Sequence, residues 1–196
     1  MAALRSVVFG QCQQSQAETA QALTLERNTV SLTRSALALA LCSEASEAKG
    51  QAQSLIDELA KRYPKDTLID SIWLPAIRAS IEINRNNTAQ AIQFLEATRR
   101  YEGAAEFWPI YLRGQAYLRQ RASSEAAAEV QKVIENRGQA PLSALYPLAH
   151  LGLARAAAMS GDSAKARRPI RTLSRSGKMP IQTFVSCKKQ NESMRS

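Results

Sequence analysis

The chain has 196 residues, of which 45% are apolar and only 6% aromatic, with eight glycines and seven prolines. So aromatic-poor and glycine-poor a chain suits close-packed helices better than a β-sandwich or a loop-rich fold. The net charge of +9 is uneven: residues 167–196 carry +7 and the body before them only +2, so the body itself lacks the basic character of a nucleic-acid binder.

The three cysteines, Cys12, Cys42 and Cys187, are far apart and form no CxxC pair. That spacing predicts buried or idle thiols in a reducing compartment rather than a disulfide framework or a zinc site. The single histidine, His150, has no metal-ligand partners at useful spacing, and no metal or cofactor is expected. The opening MAALRSVVFG is too short for a signal segment. The longest apolar run, Ala36 to Cys42, is far below the ~20 residues that span a bilayer. A cytoplasmic chain is the expectation.

Residues 2–9 read as the end of a helix closed by Gly10. Residues 12–27 follow with Ala17, Ala20 and Leu23 at helical spacing. Asn28 and Thr29 punctuate. Residues 31–42 are helical and apolar all round, which predicts burial between neighbours. After a polar turn at Ser43–Ser46, residues 47–62 are amphipathic, with Ala48, Ala52, Leu55, Ile56 and Leu59 on one side. Pro64 closes that helix.

Asp66 or Thr67 can cap the next helix, which runs to about Asn84. Pro75 inside it predicts a kink or a later start. Residues 89–99 form its partner, with Ala91, Ile92 and Leu95 apolar. Two further helices, 107–119 and 123–136, carry WPIYLRGQAYLRQRASSEAAAEVQKVI between Trp108 and Ile134. Residues 143–159 form another, with Leu148, Leu151, Ala154 and Ala157 on one side. A partner begins at 163–168, and there the pattern fails: Pro169 enters what should be a helix interior.

Small residues recur at fixed spacing. Ala79 and Ala91, Gly114 and Ala126, and Ala154 and Ala166 are each 12 apart, as close crossings between paired helices require. Together with Tyr117, Gly161, Ala52 and Pro64, these positions resemble the tetratricopeptide repeat family over roughly residues 1–168. Successive second-helix alanines lie 39, 35 and 40 residues apart, against a family period of about 34. The resemblance implies an all-α fold: a right-handed α-solenoid of about five helical hairpins, the last incomplete. The phrases DELAKRYPKDTLIDSIWLPAIRASIEINRNNTAQAI and YPLAHLGLARAAAMSGDSAKAR also resemble repeat regions that follow the catalytic domain of some bacterial serine/threonine kinases. The chain itself has no glycine-rich loop with its lysine, no HRD and no DFG.

The family geometry implies a concave groove lined by first helices, with Trp73, Ser80, Asn84, Trp108, Tyr111, Gln115, Arg119, Leu151 and Arg155 as candidate contacts. Trp73 and Trp108 could anchor a peptide or pack against the preceding pair. Arg119 and Arg155 could clamp a carboxylate or stand solvated. No nucleophile–base or paired-carboxylate motif points to an enzyme. The expected function is a non-enzymatic scaffold that binds a protein or peptide partner, set within a bacterial signalling regulator. The alternative is nucleic-acid or anionic-surface binding through the basic tail. Residues 169–196 read as irregular: a polybasic arm, an inert disordered end, or the product of a shifted reading frame beyond Arg167. A shifted frame would leave the apolar face of residues 148–158 without its cover.

Overall fold

The computed structural model describes residues 2–42, 46–101, 104–162 and 164–167. Every regular element among them is helical, and none is a strand. The α-helices are α1 (Ala2–Val8), α2 (Cys12–Leu25), α3 (Thr29–Leu41), α4 (Ser46–Arg62), α5 (Leu74–Asn84), α6 (Thr88–Glu96), α7 (Trp108–Arg119), α8 (Ser123–Glu135) and α9 (Leu145–Met159). Residues 164–167 make one more helical turn. The readings placed on the turn residues 43–45, on Cys187 and on the tail 169–196 lie outside the described residues.

The contacts follow a simple order. Each helix touches the next, and each odd-numbered helix also touches the following odd-numbered one: α1 with α3, α3 with α5, α5 with α7, α7 with α9. Among the described residues, successive even-numbered helices make no comparable contact. The core therefore runs along the odd-numbered helices. In α3, Leu32 and all of Ala36–Ala40 are buried, as its apolar circumference predicts. In α4, Ala48, Ala52, Leu55, Ile56 and Leu59 are all buried. In α9 the buried residues are Leu145, Leu148, Ala149, Gly152, Ala154 and Ala156, while Leu151 and Ala157 are only half-buried.

Four turns are built alike. Gly10, Asn86, Arg121 and Gly161 end α1, α5, α7 and α9 with φ of +79, +61, +61 and +79°. In each case the following N–H reaches back five residues: Gln11 to Ser6, Asn87 to Glu82, Ala122 to Tyr117 and Asp162 to Ala157. This is the left-handed closure that satisfies otherwise orphaned helix carbonyls. Glycine adopts it freely, whereas a bulky L-residue is disfavoured by about 1–2 kcal/mol. Arg121 is the misfit. Arg121→Gly is expected to raise the unfolding free energy by about 0.5–1 kcal/mol, read as a higher urea midpoint. A lower midpoint would mean that the Arg121 side chain contributes more than its backbone costs.

Pro75 acts through the turn before it. Ile69–Trp73 is a π-helical segment, closed by the Leu74 N–H on the Ile69 carbonyl, and α5 starts directly after it with the proline in its first turn. The later start expected at Pro75 is not seen: the helical run begins at Thr67 and passes through the π-helical turn into α5 without a break. Asp66 supplies the cap: its Oδ1 accepts from the N–H groups of Leu68 and Ile69 at 2.9 and 3.1 Å.

Two expectations are corrected. In α2, Ala17 and Ala20 are exposed, and the buried positions are Ser15 and Thr19. The periodic alanines lay on the wrong face, because the true stripe is made of cysteine and hydroxyl residues. And Cys12 and Cys42 are not idle thiols. They are joined as a disulfide, with their Cα atoms 5.6 Å apart. Thirty residues of sequence separate them, but α2 and α3 run back past each other and bring the two ends together. The basis for reading a reducing compartment is thereby removed. No described helix is long and apolar enough to cross a membrane.

Candidate functional site

The N-terminal end of α3 and the π-helical segment enclose a cleft of about 140 Å³. Its walls are Val30, Leu68, Ile69 and Trp73, with Thr29, Thr33, Arg34 and Asp66 at the edges. Val30 and Leu68 are 51% and 56% exposed, unusual for large apolar side chains. Local backbone chemistry explains the exposure. Asn28 caps α3 in a reciprocal pair with Ser31, which fixes the first turn and leaves Val30 facing out. The widened turn at 69–73 shifts the helical phase, so Leu68 stands outside while Ile69 and Ile72 are buried.

One rim of the cleft is charged. Arg34 Nη2 donates to Glu106 Oε1 at 2.6 Å, joining α3 to the segment before α7. That segment is strained: Ala105, Glu106 and Phe107 all have positive φ, of 51, 54 and 68°. Three successive non-glycine residues in this region cost of order 1–3 kcal/mol each and need support from their surroundings. Burial of Phe107 and the Arg34–Glu106 pair provide that support.

The candidate groove residues fall into distinct settings. Trp73 is half-buried and lines the cleft. Trp108 is buried to 3% exposure and meets Tyr111 edge-on with ring centres 6.1 Å apart, so it packs rather than projects. Ser80 is buried and donates to the Ala76 carbonyl. Asn84 donates to the Ala40 carbonyl at 2.8 Å and so ties α5 to α3. Gln115, Leu151 and Arg155 are half-buried, and Arg119 is exposed. Desolvation of its stem moves Arg119 down from the usual arginine pKa, but a guanidinium stays charged.

Of the small-residue pairs, Gly114 and Ala126 lie against each other where α7 meets α8. A Cβ on Gly114 would lie 2.7 Å from Val130 Cγ1 and 3.8 Å from the Ala126 carbonyl oxygen. Ala79, Ala91 and Ala126 are fully buried, and Ala154 nearly so. Tyr117 packs on the Leu118, Ala126 and Ala156 cluster. Ala166 is half-buried. Val130 also presses on Gly152, where a Cβ would sit 3.0 Å away, a contact between α8 and α9 that the repeat spacing did not signal.

The charged centre is one that sequence reasoning missed. Arg113 has 0% side-chain exposure, and Glu129 has 7%. Arg113 Nη2 pairs with Glu129 Oε2 at 3.0 Å, and Nη1 donates to the Leu95 carbonyl at 2.9 Å. Arg99 and Lys132 reach the other Glu129 oxygen at 3.3 and 3.5 Å. Burial alone would push the Glu129 carboxyl up. The Arg113 hydrogen bond and charge, with Lys132 and Arg99, outweigh it and hold Glu129 below the usual carboxylate range. The guanidinium thus fastens α7 to α8 and to the last turn of α6. Only its place beside Gly114 hinted at burial.

His150 stands apart from these groups. Burial, with the Arg137 charge, pushes its imidazole down, so it is neutral near pH 7. Its ring meets Tyr146 edge-on at 4.8 Å, and Arg137 lies over the same tyrosine at 4.4 Å. Among the described residues, no cluster of histidine, cysteine and carboxylates could hold a metal ion.

A second cleft, of about 480 Å³, lies between α8 and α9 and includes Ala127, Gln131, Leu153, Ala156 and Ala157, with Lys165 at its edge. Of the α9 face read from the sequence as apolar, Leu148, Leu151, Ala154 and Ala157, only Ala157 lines it. No protein-family model matches the sequence, and no curated protein or solved structure matches it.

Proposed function

We propose that the chain is a non-enzymatic binding scaffold: helical hairpins stacked as a right-handed α-solenoid of the tetratricopeptide kind, which take a segment of a partner protein on the side of α3 and α5. The observation that carries this reading is the order of contacts, in which α1, α3, α5, α7 and α9 touch in succession. The four like-built turns at Gly10, Asn86, Arg121 and Gly161 support it, because a stack of like units needs like connections. The docking position is the cleft of Val30, Leu68 and Trp73, where an extended peptide can bury one apolar side chain against exposed apolar walls. Trp73 serves as the aromatic anchor, and the Arg34–Glu106 pair sets the polar rim.

The test selects peptides from a displayed library on the intact chain and compares their affinity for Leu68→Asp. Leu68 is exposed, so its replacement leaves the fold intact. The expected result is a loss of at least about tenfold, the cost of burying a carboxylate against an apolar ligand group, with an unchanged melting temperature. Equal affinity for both proteins would remove this cleft as the docking site.

A further inference from the structure

We infer that the Cys12–Cys42 disulfide is a latch that holds the N-terminal pair α1–α2 on α3, and that its reduction releases that pair while the rest of the fold stays closed. The argument starts from how little else holds α2. Its fully buried side chains are Ser15 and Thr19, and Leu25 at its end is 80% exposed. Leu23 and Cys12 are its only large or sulfur side chains packed on the core, both half-buried. Such a face removes little apolar area from water, so the hydrophobic term that normally docks a helix is small here.

Polar contacts do part of the work. Ser15 Oγ donates to the Ala3 carbonyl at 2.9 Å, and Ser6 Oγ donates to Glu18 Oε2 at 2.8 Å. Both join α2 to α1, not to α3. The Thr19 hydroxyl is buried without a hydrogen-bond partner among the described residues, which weakens the interface further. Leu4 and Val7 of α1 are buried in the core, but α1 has only seven residues, too few to hold a helix pair alone.

The disulfide sits where a latch is needed. Cys12 is the first residue of α2, and Cys42 is the cap residue after α3. The two helices are joined at their other ends by the short connection at Glu26–Asn28. Chain linkage therefore closes one end of the α2–α3 pair, and the sulfur bridge closes the opposite end. Its effect is to deny the unlatched chain most of its freedom. Beneath the pair lies α3, whose Leu32 and Ala36–Ala40 are buried on all sides. Opening the latch uncovers part of that apolar surface.

The chemistry balances with a dithiol as reductant. One thiolate attacks Sγ of the half-buried Cys12, and Cys42 leaves as a thiolate that takes up a proton. The second thiol of the reductant displaces Cys12, and the reductant ends as a cyclic disulfide. Two electrons and two protons pass to the protein.

The test uses the full chain with Cys187→Ser, purified oxidised, and follows hydrogen exchange by mass spectrometry before and after dithiothreitol. After reduction, shown by a mass gain of two hydrogens, amides of α1 and α2 are expected to exchange about a hundredfold faster. Amides of α7 and α8 should keep their rate. Cys42→Ala should reproduce the reduced pattern without any reductant. Unchanged exchange over residues 2–25 after complete reduction would overturn the proposal. So would faster exchange spread evenly from α3 to α9, or free thiols at both Cys12 and Cys42 in the oxidised protein. None of these outcomes depends on the docking cleft.

Discussion

Arg113→Met is expected to lower the unfolding free energy by about 3–5 kcal/mol, because it leaves the buried Glu129 carboxylate without its main partner. The guanidinium is fully enclosed, so neither water nor salt weakens the pair in the native protein. Losing it also removes one of the donors to the Leu95 carbonyl at the end of α6, leaving the Thr98 hydroxyl on that oxygen. Arg113→Met combined with Glu129→Leu should cost much less than Arg113→Met alone, since an apolar pair of similar volume leaves no orphaned charge. Urea titrations of the two single variants and the double variant give the coupling energy. If Arg113→Met and the double variant lose equal stability, packing rather than charge is the function of this site.

The same centre predicts a pH dependence. Glu129 has its folded pKa depressed, so its contribution is fully present above the unfolded value, near 4.3 for a free glutamate. It is lost as pH falls through the lower folded value. Glu129→Gln should therefore flatten the acid limb of the stability curve below about pH 4.5 while leaving the slope above about pH 6 unchanged. An acid limb of unchanged steepness would place the linkage on other carboxylates.

The second large effect belongs to Gly114. A methyl group there meets Val130 Cγ1 at 2.7 Å, too close for any relaxed contact. Val130 cannot swing aside, because its branched side chain is stiff and the same Cγ1 also lies against Gly152. Gly114→Ala is expected to cost about 1–3 kcal/mol from overpacking, despite the gain of about 1 kcal/mol in helix propensity. Made on a Val130→Ala background, the same substitution should become neutral or stabilising, since only the propensity gain remains. Melting curves of the four proteins settle the sign, and a destabilising Gly114→Ala in both backgrounds would show that α7 and α8 touch differently.

The helices themselves were legible because their signals are local. Gly10, Asp66, Pro64 and the small residues at 114 and 126 act within a turn of where they sit. What escaped reading depends on partners distant in sequence. Nothing near Arg113 says that Glu129 will lie opposite, and nothing near Cys12 says that Cys42 will arrive beside it. In α2 the buried stripe carries Cys, Ser and Thr, so hydrophobic periodicity selected the exposed alanines instead. The tryptophans show the same limit: both were candidates for the groove, yet Trp73 lines a cleft while Trp108 is enclosed. Their flanking backbones differ, a π-helical segment in one case and a left-handed run in the other.

That π-helical segment also sets the bearing of everything ahead of it. An α-helix turns by about 100° for each residue, and a widened turn accommodates one residue more than the regular ladder does. Ile69–Trp73 thus works as an angular offset between Asp66–Leu68 and the body of α5. Without the additional residue, Leu68 would swing toward a different compass point, and the wall it shares with Val30 would be dismantled while every helix kept its length.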